Sequence, residues 1–449
     1  MTESILPLNT PPTGVPPVTN TRRALAEAVE LLSQGTGPVA ADSERASGFR
    51  YQARAELVQL FRRGTGIVLI DARALPDLSS VDRALADVEW VFHAASQDLP
   101  CLRECGLDPA LIFDTELASR ILGAPRVGLA AVVARTLGLG LAKEHSAQDW
   151  SLRPLPRAWL NYAALDVAVL VDVRDVLERE LEAAGKLEIA QAEARAVLAA
   201  APPAPRPEPW RRTSGRHSLK DRRQLAVVRS LWEARDRLGA RRDVFPGRVL
   251  PDRAIIAAAQ AMPTSCEALA AIPPFNGHRQ TKLKDYWWAA VAEALALPPT
   301  AWPTLRGPSH DQLPPIRQWH VRHPAAAARM AQVKAQLAEL SEAEQIPVEN
   351  LMQPDLVRSV VFKAPQAVAE AMAAGGARGW QIEAVAPIVA AAIRDHPDPP
   401  RHPKPRPRPD LPVSPDHLVR PDLPGSPDLP VSPDLPVRPD QPGSADPAD

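Results

Sequence analysis

The stretch Gly37-Pro38-Val39-Ala40-Ala41-Asp42-Ser43-Glu44-Arg45 passes from apolar residues directly into two carboxylates that are one residue apart. It predicts a buried β-strand, and because side chains alternate along a strand, Asp42 and Glu44 project from one face while Ser43 points to the other. Two carboxylates at the end of a buried strand repel each other and lose hydration, so they need a cation between them. Oxygen ligands suit a hard divalent ion such as Mg²⁺ or Mn²⁺. The motif Asp-x-Glu is also common on solvated strand edges, so this interpretation depends on finding further carboxylates.

The composition limits the class of protein. A chain of 449 residues is long enough for two or three domains of about 100–200 residues each. Its net charge of −1 creates no global field, so local patches would have to hold a nucleic-acid partner. Cys101, Cys105 and Cys266 are too few and too scattered for a disulfide framework or a zinc site, which fits a reducing cytoplasm. No uncharged apolar run reaches about 18 residues, which predicts no membrane span, and residues 1–20 look like neither a signal peptide nor an anchor.

The elements around this strand predict an α/β layer fold. Strands at 37–45, 55–62 and 66–71 are joined by short turns and favour an antiparallel meander, although the middle one could instead be a helix. Strands then alternate with helices, which favours parallel additions to the meander. A long helix is predicted over 157–182, nearly unbroken.

Further carboxylates occur where they could join Asp42 and Glu44. Asp98 lies near the start of a predicted helix, directly after a predicted strand, and can reach Asp42 if the two strands are neighbours. Tyr162 and Asp166 are four residues apart in the long helix and therefore share one face. Each of these side chains alone is more often a solvated surface residue. Together, in this order and on these element types, they predict a site of four carboxylates and a phenol.

At these residues the chain resembles ribonuclease D, within the superfamily of 3′–5′ exonucleases named for four acidic residues and in the branch marked by Tyr-x-x-x-Asp. The resemblance covers about residues 20–395 and points to the actinobacterial type. The family often has Thr where this chain has Ser43, a residue expected to point off the metal face. The matching stretches are Ala41-Asp42-Ser43-Glu44-Arg45, Phe92-His93-Ala94-Ala95-Ser96-Gln97-Asp98-Leu99, Asn161-Tyr162-Ala163-Ala164-Leu165-Asp166 and the loop within 143–154.

The resemblance implies hydrolysis of phosphodiesters with two divalent ions, Mg²⁺ or Mn²⁺, about 3.5–4 Å apart. It implies that Asp42 bridges both ions, that Glu44 and Asp166 complete one ion site, and that Asp98 serves the other, partly through water. Tyr162 would orient the attacking water, and the products would be nucleoside 5′-monophosphates. The expected catalytic set is therefore these five residues, and its four carboxylates are the expected metal ligands.

The predicted fold is an α/β ribonuclease H-like exonuclease domain, a mixed sheet flanked by helices, followed by all-α domains. Residues 218–297 resemble the helical nucleic-acid-binding (HRDC-like) domain that RecQ-type helicases share with ribonuclease D. Residues 311–395 resemble a further helical domain of actinobacterial members, which leaves open a second copy of that module. The predicted segments are a disordered start (1–20), the exonuclease domain (21–200), a proline-rich linker (201–217), the HRDC-like domain (218–297), a linker (298–310), the second C-terminal helical domain (311–395) and a disordered Pro-Asp repeat tail (396–449).

Four other features have competing interpretations. Asp114-Thr115-Glu116 imitates the first acidic pair, but a helix pattern follows it, so Asp114 is expected to cap that helix. His93 is expected to pack or hydrogen-bond near the site, and Phe275 is expected to plug the helical domain rather than stack on a base. The stretch 211–253 holds thirteen Lys or Arg against five Asp or Glu. It either attracts RNA phosphates without reading sequence or forms a solvated helical face.

The expected function is a cytoplasmic, metal-dependent 3′–5′ exoribonuclease that trims the 3′ ends of tRNA or other stable RNA precursors. Two alternatives stay open at this point. Nothing in the four acids distinguishes ribose from deoxyribose, so a DNA 3′–5′ exonuclease carries the same signature. A non-catalytic RNA-binding scaffold would keep the fold without turnover, although the presence of all four acids and of Tyr162 argues against it.

Overall fold

The α/β part of the chain is a mixed sheet with helices on both faces. The structure is a computed structural model that describes residues 5–141, 145, 147–202, 204–307 and 313–399, all within one compact unit that ends at Pro399. The predicted tail lies outside the described residues from position 400 onward. The strands described are β1 (Leu6–Leu8), β2 (Val18–Thr19), β3 (Thr36–Arg45), β4 (Ala55–Arg63), β5 (Gly66–Asp71), β6 (Glu89–Phe92), β7 (Leu111–Asp114) and β8 (Leu139–Leu141).

Eight α-helices accompany these strands, and twelve follow them among the described residues. Those of the α/β part are α1 (Arg22–Ser33), α2 (Ser79–Ala84), α3 (Ala95–Glu104), α4 (Thr115–Ile121), α5 (Leu129–Leu137), α6 (Arg157–Ala168), α7 (Leu170–Ala183) and α8 (Leu187–Ala199). The others are α9 (Arg222–Arg242), α10 (Pro246–Val249), α11 (Asp252–Ala261), α12 (Cys266–Ala271), α13 (His278–Thr281), α14 (Lys284–Ala296), α15 (Trp319–Arg322), α16 (Pro324–Glu344), α17 (Val348–Leu351), α18 (Pro354–Lys363), α19 (Val368–Ala374) and α20 (Gly379–Asp395). None of the described helices is long and apolar enough to cross a bilayer.

The main sheet has the order β2-β5-β4-β3-β6-β7. Strands β3, β4 and β5 form the predicted antiparallel meander, so the middle segment is a strand and not a helix. Strand β6 pairs in parallel with β3, and β7 pairs in parallel with β6. The carboxyl ends of β3 and β6 therefore meet at the same edge of the sheet, which confirms the neighbour relationship expected for Asp98.

The prediction of a disordered start is wrong for residues 5–20. Strand β1 pairs in parallel with β8, with Leu6 opposite Leu139, and β2 pairs in parallel with β5, with Val18 opposite Leu69. Both strands are short and neighboured by prolines, so nothing local marks them. Their partners lie far along the chain, where only the folded sheet brings them close.

The alternation of β3 separates the two faces of the sheet as predicted. Ala40 packs in the core cluster that contains Ala163 and Ala164 of α6. Ala41 packs in the cluster that contains Leu99 and Leu102 of α3. Because side chains alternate, the Asp42 and Glu44 side of β3 faces α6, whereas the Ser43 side faces α3.

The long helix predicted over 157–182 is interrupted. Helix α6 ends at Ala168 and α7 begins at Leu170, with Val169 between them. The two pieces rest on different neighbours, because α6 packs across β3, β4 and β5 while α7 also contacts α4 and α5. The break lets α6 present its polar positions to the strand of carboxylates.

The first helical region, α9 to α14, has a core of its own around Leu225 and Trp287. Phe275 is 2% exposed in this core, which confirms that it is a plug. Trp210 is equally buried in it, so the predicted linker 201–217 is wrong in its second half. Trp302, in the predicted linker 298–310, also packs on this core. A tryptophan side chain buries a large apolar area when it packs on a core, so it can order a segment that is rich in proline.

The second helical region, α15 to α20, shares its hydrophobic cluster with α6 and α7. Trp319 is fully buried in this cluster. Arg378 forms an ion pair with the buried Glu193 of α8, and Trp380 Nε1 donates to the same carboxylate at 2.9 Å. The region is therefore attached to the α/β part by apolar contact and by a buried charge pair.

Candidate active site

The carboxylates of β3 lie at the end of the strand, below the polar face of α6. Oxygen atoms of Asp42, Glu44 and Asp166 all lie within 4.8 Å of one another. Burial raises the pKa of Glu44 to about 10, and the neighbouring carboxylates of Asp42 and Asp166 add to the shift. Burial and the charges of Asp98 and Asp166 likewise hold the pKa of Asp42 well above its ordinary value. Three carboxyl groups are thus held close together, and their raised pKa values mean that each loses its proton less readily than a carboxyl group in water.

Helix α6 supplies Asp166 together with Tyr162, one turn earlier. Burial raises the pKa of Asp166 to about 7, and a hydrogen bond from the Tyr162 hydroxyl opposes the rise. Burial and the nearby carboxylates of Asp166 and Glu44 hold the pKa of the Tyr162 phenol above its ordinary range. The phenol is therefore a protonated donor at neutral pH.

Asp98 approaches the site from α3, on the other face of the sheet. Its carboxylate is outside the group of three whose oxygens meet within 4.8 Å, but it lines the same cavity. Ser43 Oγ donates to Asp98 Oδ1 at 2.7 Å. Burial raises the pKa of Asp98 to about 6, while the Ser43 hydroxyl and Arg45 oppose the rise.

Ser43 makes a contact within the site that was not predicted from the sequence. Its side chain does leave the Asp42 and Glu44 side of the strand, as predicted. That direction leads to α3, however, and places the hydroxyl on Asp98. Combining the alternation of β3 with the position of Asp98 on the opposite face would have identified the contact.

Asp114 is a structural acid, as expected. It caps α4 by accepting from the backbone N–H groups of Glu116 and Leu117. It also accepts from the backbone N–H groups of Ala94 and Ala95 at 3.0 and 2.8 Å. Ala94 has φ 69°, a left-handed conformation that is unfavourable for a residue with a Cβ. Asp114 therefore fixes the turn that starts α3 and positions Asp98.

His93 lines the cavity but does not act as a cation there. Burial lowers its pKa to about 4, so the ring is neutral at pH 7. Its Nδ1 lies 2.9 Å from Thr115 Oγ1, and Thr115 donates to the carbonyl of Phe92. This agrees with the expectation that His93 hydrogen-bonds beside the site.

The loop predicted to precede the third motif is partly described, since residues 142–144 and 146 lie outside the described residues. Trp150 is fully buried and packs against Trp159, with ring centroids 5.3 Å apart. Arg153 Nε donates to Asp71 Oδ2 at 2.6 Å. The loop is thereby anchored to the sheet beside α6.

The carboxylates of β3, α3 and α6 line a cavity of about 380 Å³, together with Tyr162, His93 and Ser43. All five residues of the expected catalytic set contribute to it. Its donor set is made of carboxylate oxygens, which suit Mg²⁺ or Mn²⁺ rather than a softer metal. Buried carboxylates with raised pKa values gain most from a cation, so the residues present fit divalent metal ions. The complete lining is Asp42, Ser43, Glu44, Arg45, Ser47, His93, Gln97, Asp98, Leu129, Tyr162, Asp166 and Leu170.

Three parts of the chain match known protein families. Residues 17–182 match the family described as 3′–5′ exonuclease, residues 224–291 match the HRDC domain, and residues 312–393 match the 3′ to 5′ exonuclease C-terminal domain. The fold and the site thus define the class: a 3′–5′ exonuclease domain followed by two helical domains. The predicted fold class is confirmed.

Similarity to individual proteins narrows this class. Ribonuclease D of Pseudomonas paraeruginosa is 30% identical over 253 residues, which are 55% of this chain and 67% of that protein. Ribonuclease D of Gluconacetobacter diazotrophicus is 36% identical over 233 residues, or 51% of this chain and 59% of that protein. The chain belongs to the ribonuclease D family. It spans less than two thirds of several curated relatives, including 52% of the one from Acidiphilium cryptum.

Solved structures agree with this assignment. A crystal structure of a protein from Bifidobacterium adolescentis is 37% identical with a TM-score of 0.81, covering 87% of this chain and 99% of that one. Escherichia coli RNase D, described as an exoribonuclease involved in structured RNA processing, is 25% identical with a TM-score of 0.62, covering 85% and 99%. The actinobacterial type and the second copy of the helical module remain predictions.

Proposed function

We propose that the chain is a 3′–5′ exoribonuclease that trims the 3′ ends of structured RNA, with tRNA precursors as the expected substrates. The observation that carries the proposal is the meeting of Asp42, Glu44 and Asp166 oxygens within 4.8 Å in a cavity that Asp98 and Tyr162 also line. Ribonuclease D relatives support RNA as the substrate class. The cofactors proposed are two divalent ions, Mg²⁺ or Mn²⁺.

The residues of the cavity have two proposed roles, which are to hold the metal ions and to position the metal ligands. Asp42, Glu44 and Asp166 would hold one ion, and Asp42 with Asp98 would hold the other. When bound, such ions supply Lewis-acid stabilisation of the charge that develops on the phosphate. Ser43 keeps Asp98 in place through its hydroxyl, and Asp114 fixes the turn from which Asp98 extends.

Tyr162 is proposed to orient the attacking water. Its phenol stays protonated because burial and the charge of Asp166 raise its pKa. With its one proton donated to Asp166, the phenol oxygen can accept a hydrogen bond from a water molecule and hold that water in line with the scissile bond. Positioning of this kind contributes by reducing the entropy that the reaction must lose.

The HRDC-like domain is proposed to hold the RNA body through exposed cations. Eight Lys or Arg side chains of the stretch 211–253 are exposed: Arg212, Lys220, Arg223, Arg237, Arg241, Arg242, Arg248 and Arg253. Contacts between such cations and phosphates carry affinity without sequence readout. That fits an enzyme whose substrates share an accessible 3′ end rather than a sequence.

The direct test is mononucleotide release from labelled RNA and DNA oligomers of matched sequence, with Mg²⁺, Mn²⁺ or chelator. We expect stepwise release of 5′-mononucleotides from RNA in either metal and none in chelator. Asp42→Asn should abolish release. Asp87→Asn is the matched control, since Asp87 is exposed and outside the cavity.

The alternatives are separate outcomes of the same experiment. Equal release from DNA would replace the proposal with a DNA 3′–5′ exonuclease. Binding of RNA without release in any metal would favour a non-catalytic scaffold. Internal cleavage products in place of mononucleotides would contradict the exonuclease proposal altogether.

A further inference from the structure

Arg45 is a cation inside the carboxylate cavity that the proposed mechanism has not used. It is the last residue of β3 and follows Glu44 directly. Among the described residues lining the cavity it is the one Lys or Arg, and His93 is neutral there because its pKa is about 4. The cavity therefore contains a single permanent positive charge.

The guanidinium of Arg45 is held in position by a backbone carbonyl rather than by an ion pair. Its Nη1 donates to the backbone carbonyl of Gln97 at 2.7 Å, in the first turn of α3 and one residue before Asp98. In the described part of the chain no carboxylate forms an ion pair with it, although four carboxylates line the same cavity. A charged fork anchored at one nitrogen, with other N–H groups free of carboxylates, matches the geometry of a phosphate.

The charge of the proposed complex indicates why a cation is needed. Two divalent ions would balance four carboxylates, but an RNA end brings one negative charge for every phosphate. The ions would act on the scissile phosphate, and the next phosphate along the chain would then lie in a cavity whose other ionised side chains are carboxylates. Arg45 is the side chain whose charge can meet it.

The upstream phosphate can be placed on one face of the sheet, because α6 and α3 lie on opposite faces of β3. Tyr162 and Asp166 lie on the α6 face, whereas Arg45 has the parity of Ser43 and bonds to α3. An in-line displacement places the attacking water and the leaving oxygen on opposite sides of phosphorus. If Tyr162 holds the water on the α6 side, the leaving 3′-oxygen and the upstream chain point toward α3.

We propose that Arg45 binds the phosphate one nucleotide upstream of the scissile bond and so makes this enzyme prefer ends that carry such a phosphate. The inference rests on the proposed exonuclease function. It makes Arg45 a residue that binds substrate rather than one that holds the metal ions.

Two dinucleotides that differ by one phosphate test the assignment. Diribonucleotide with a free 5′-hydroxyl carries only the scissile phosphate, and its 5′-phosphorylated form adds the upstream one. Wild type should cleave the phosphorylated form with a kcat/KM about tenfold higher, the scale of one charge-assisted hydrogen bond. Arg45→Ala should remove that preference and leave kcat/KM for the 5′-hydroxyl form within about twofold. Arg45→Lys should keep part of the preference, because it keeps the charge and loses the fork.

Binding provides a second readout that does not depend on turnover. In the Asp42→Asn background, fluorescence anisotropy of a labelled RNA oligomer should give a salt dependence whose slope falls by about 0.7 on adding Arg45→Ala, the value for one phosphate contact on a single strand. Arg23→Ala is the control for charge alone, since the Arg23 side chain is 89% exposed on α1. It should change neither readout.

The outcomes separate this inference from the proposed function. A wild type that releases no mononucleotide defeats the proposed function, and the anisotropy slope then still reports on Arg45. An active wild type whose Arg45→Ala variant keeps the tenfold preference overturns the inference alone. An equal loss on both dinucleotides, with normal unfolding, also overturns it, because Arg45 would then act on the carboxylates rather than on the upstream phosphate.

Discussion

The chain carries two dense groups of charge that are built in opposite ways. In the cavity, the carboxylates of Asp42, Glu44 and Asp166 are buried side by side, and no described Lys, Arg or His forms an ion pair with them. In the basic segment, residues 211–253, opposite charges meet: Arg235 Nη1 donates to Asp252 Oδ1 at 2.5 Å and to a backbone carbonyl at 3.0 Å. The first group has no ion-pair partner among the described residues, whereas several cations of the second have polar partners.

The remaining partners in the basic segment are mostly carbonyls. Arg222 donates to the carbonyl of Trp302 at 2.8 Å. Arg248 donates to the carbonyl of Gly48 at 2.6 Å, in the loop directly after β3, and lies 3.9 Å from the ring of Phe49. Part of this charge therefore holds the helical domain against the catalytic strand. The comparison teaches that a charge run in a sequence overstates the charge available to a ligand, whereas buried like charges without partners indicate one.

Asp42→Asn should move activity and stability in opposite directions, and this is the largest effect expected. Loss of a metal ligand removes several kcal/mol of transition-state stabilisation, or about a thousandfold in rate. The metal-free protein should nevertheless unfold at a higher temperature, because Asn removes one of the repelling charges. Mononucleotide release and thermal unfolding in chelator measure the two effects. A variant that loses both activity and stability would mean that the carboxylates are not strained by their own repulsion.

Arg235→Ala tests the other side of the comparison. The Arg235 side chain is 7% exposed and its partner Asp252 34% exposed, so removal of the guanidinium leaves a carboxylate half-buried without its partner. We expect a loss of about 3 kcal/mol in the free energy of unfolding, measured by urea denaturation. Arg237→Ala, on an exposed side chain of the same helix, should change it by less than about 0.5 kcal/mol. Equal losses would remove the distinction between paired and free cations.

Divalent ions should stabilise the folded protein, and more so at high pH. At a concentration of 100 times the dissociation constant, an ion adds about 2.7 kcal/mol. In chelator, the pKa of Asp98 is about 6 and that of Asp166 about 7, against an ordinary value of 3.8. At these two groups the folded state then binds more protons than the unfolded state, so their contribution to stability is largest below about pH 4 and declines as pH rises toward 7.

The measurement is a thermal melt from pH 5 to pH 8, with and without Mg²⁺. The difference between the two curves should widen with pH, because ions displace protons from the carboxylates. Asp166→Asn should flatten the metal-free curve. A metal-free protein that gains stability between pH 5 and 7 would contradict the raised pKa values.

Ser43→Ala should weaken the site by about tenfold. The hydroxyl donates to a buried carboxylate at 2.7 Å, and a hydrogen bond to a charged group contributes about 1.5 kcal/mol or more. We expect the Mg²⁺ concentration for half-maximal stabilisation to rise, and the free energy of unfolding in chelator to fall by about 1.5 kcal/mol because the hydrogen bond to the buried carboxylate is lost. Ser43→Thr keeps the hydroxyl and should keep the metal affinity. If Ser43→Ala and Ser43→Thr behave alike, the hydroxyl does not position Asp98.

The parts of the site that were predictable depend on local periodicity. Alternation along β3 places Asp42 and Glu44 on one face, and the spacing of four in a helix places Tyr162 with Asp166. These rules need only neighbouring residues. Together with a strand order in which β6 lies beside β3, these rules are enough to predict that Asp98 reaches the site from the end of β6.

The features that escaped prediction depend on partners far along the chain. Leu6 pairs with Leu139 in a separate two-stranded sheet, and the Ser43 hydroxyl donates to Asp98. No local pattern alone predicts either contact, and the second needs the alternation of β3 to be combined with the position of α3 on the opposite face. The basic segment was ambiguous for the same reason, since Arg248 and Gly48 come together only after two domains have folded. Contacts between residues far apart in the chain thus account for most of the structural features that could not be predicted from the sequence.

The smallest expected effect concerns the cations of the basic segment that remain exposed. Replacing both Arg223 and Arg237 with Ala should lower the slope of log affinity against log salt for single-stranded RNA by about 1.4, or about 0.7 for each lost phosphate contact. Because both side chains are exposed, stability should be unchanged, and cleavage of a dinucleotide, too short to reach them, should be unchanged as well. Arg23→Ala is again the control for net charge. An unaltered slope would mean that Arg223 and Arg237 do not contact the RNA, and it would contradict the proposal that this face of α9 holds the RNA body.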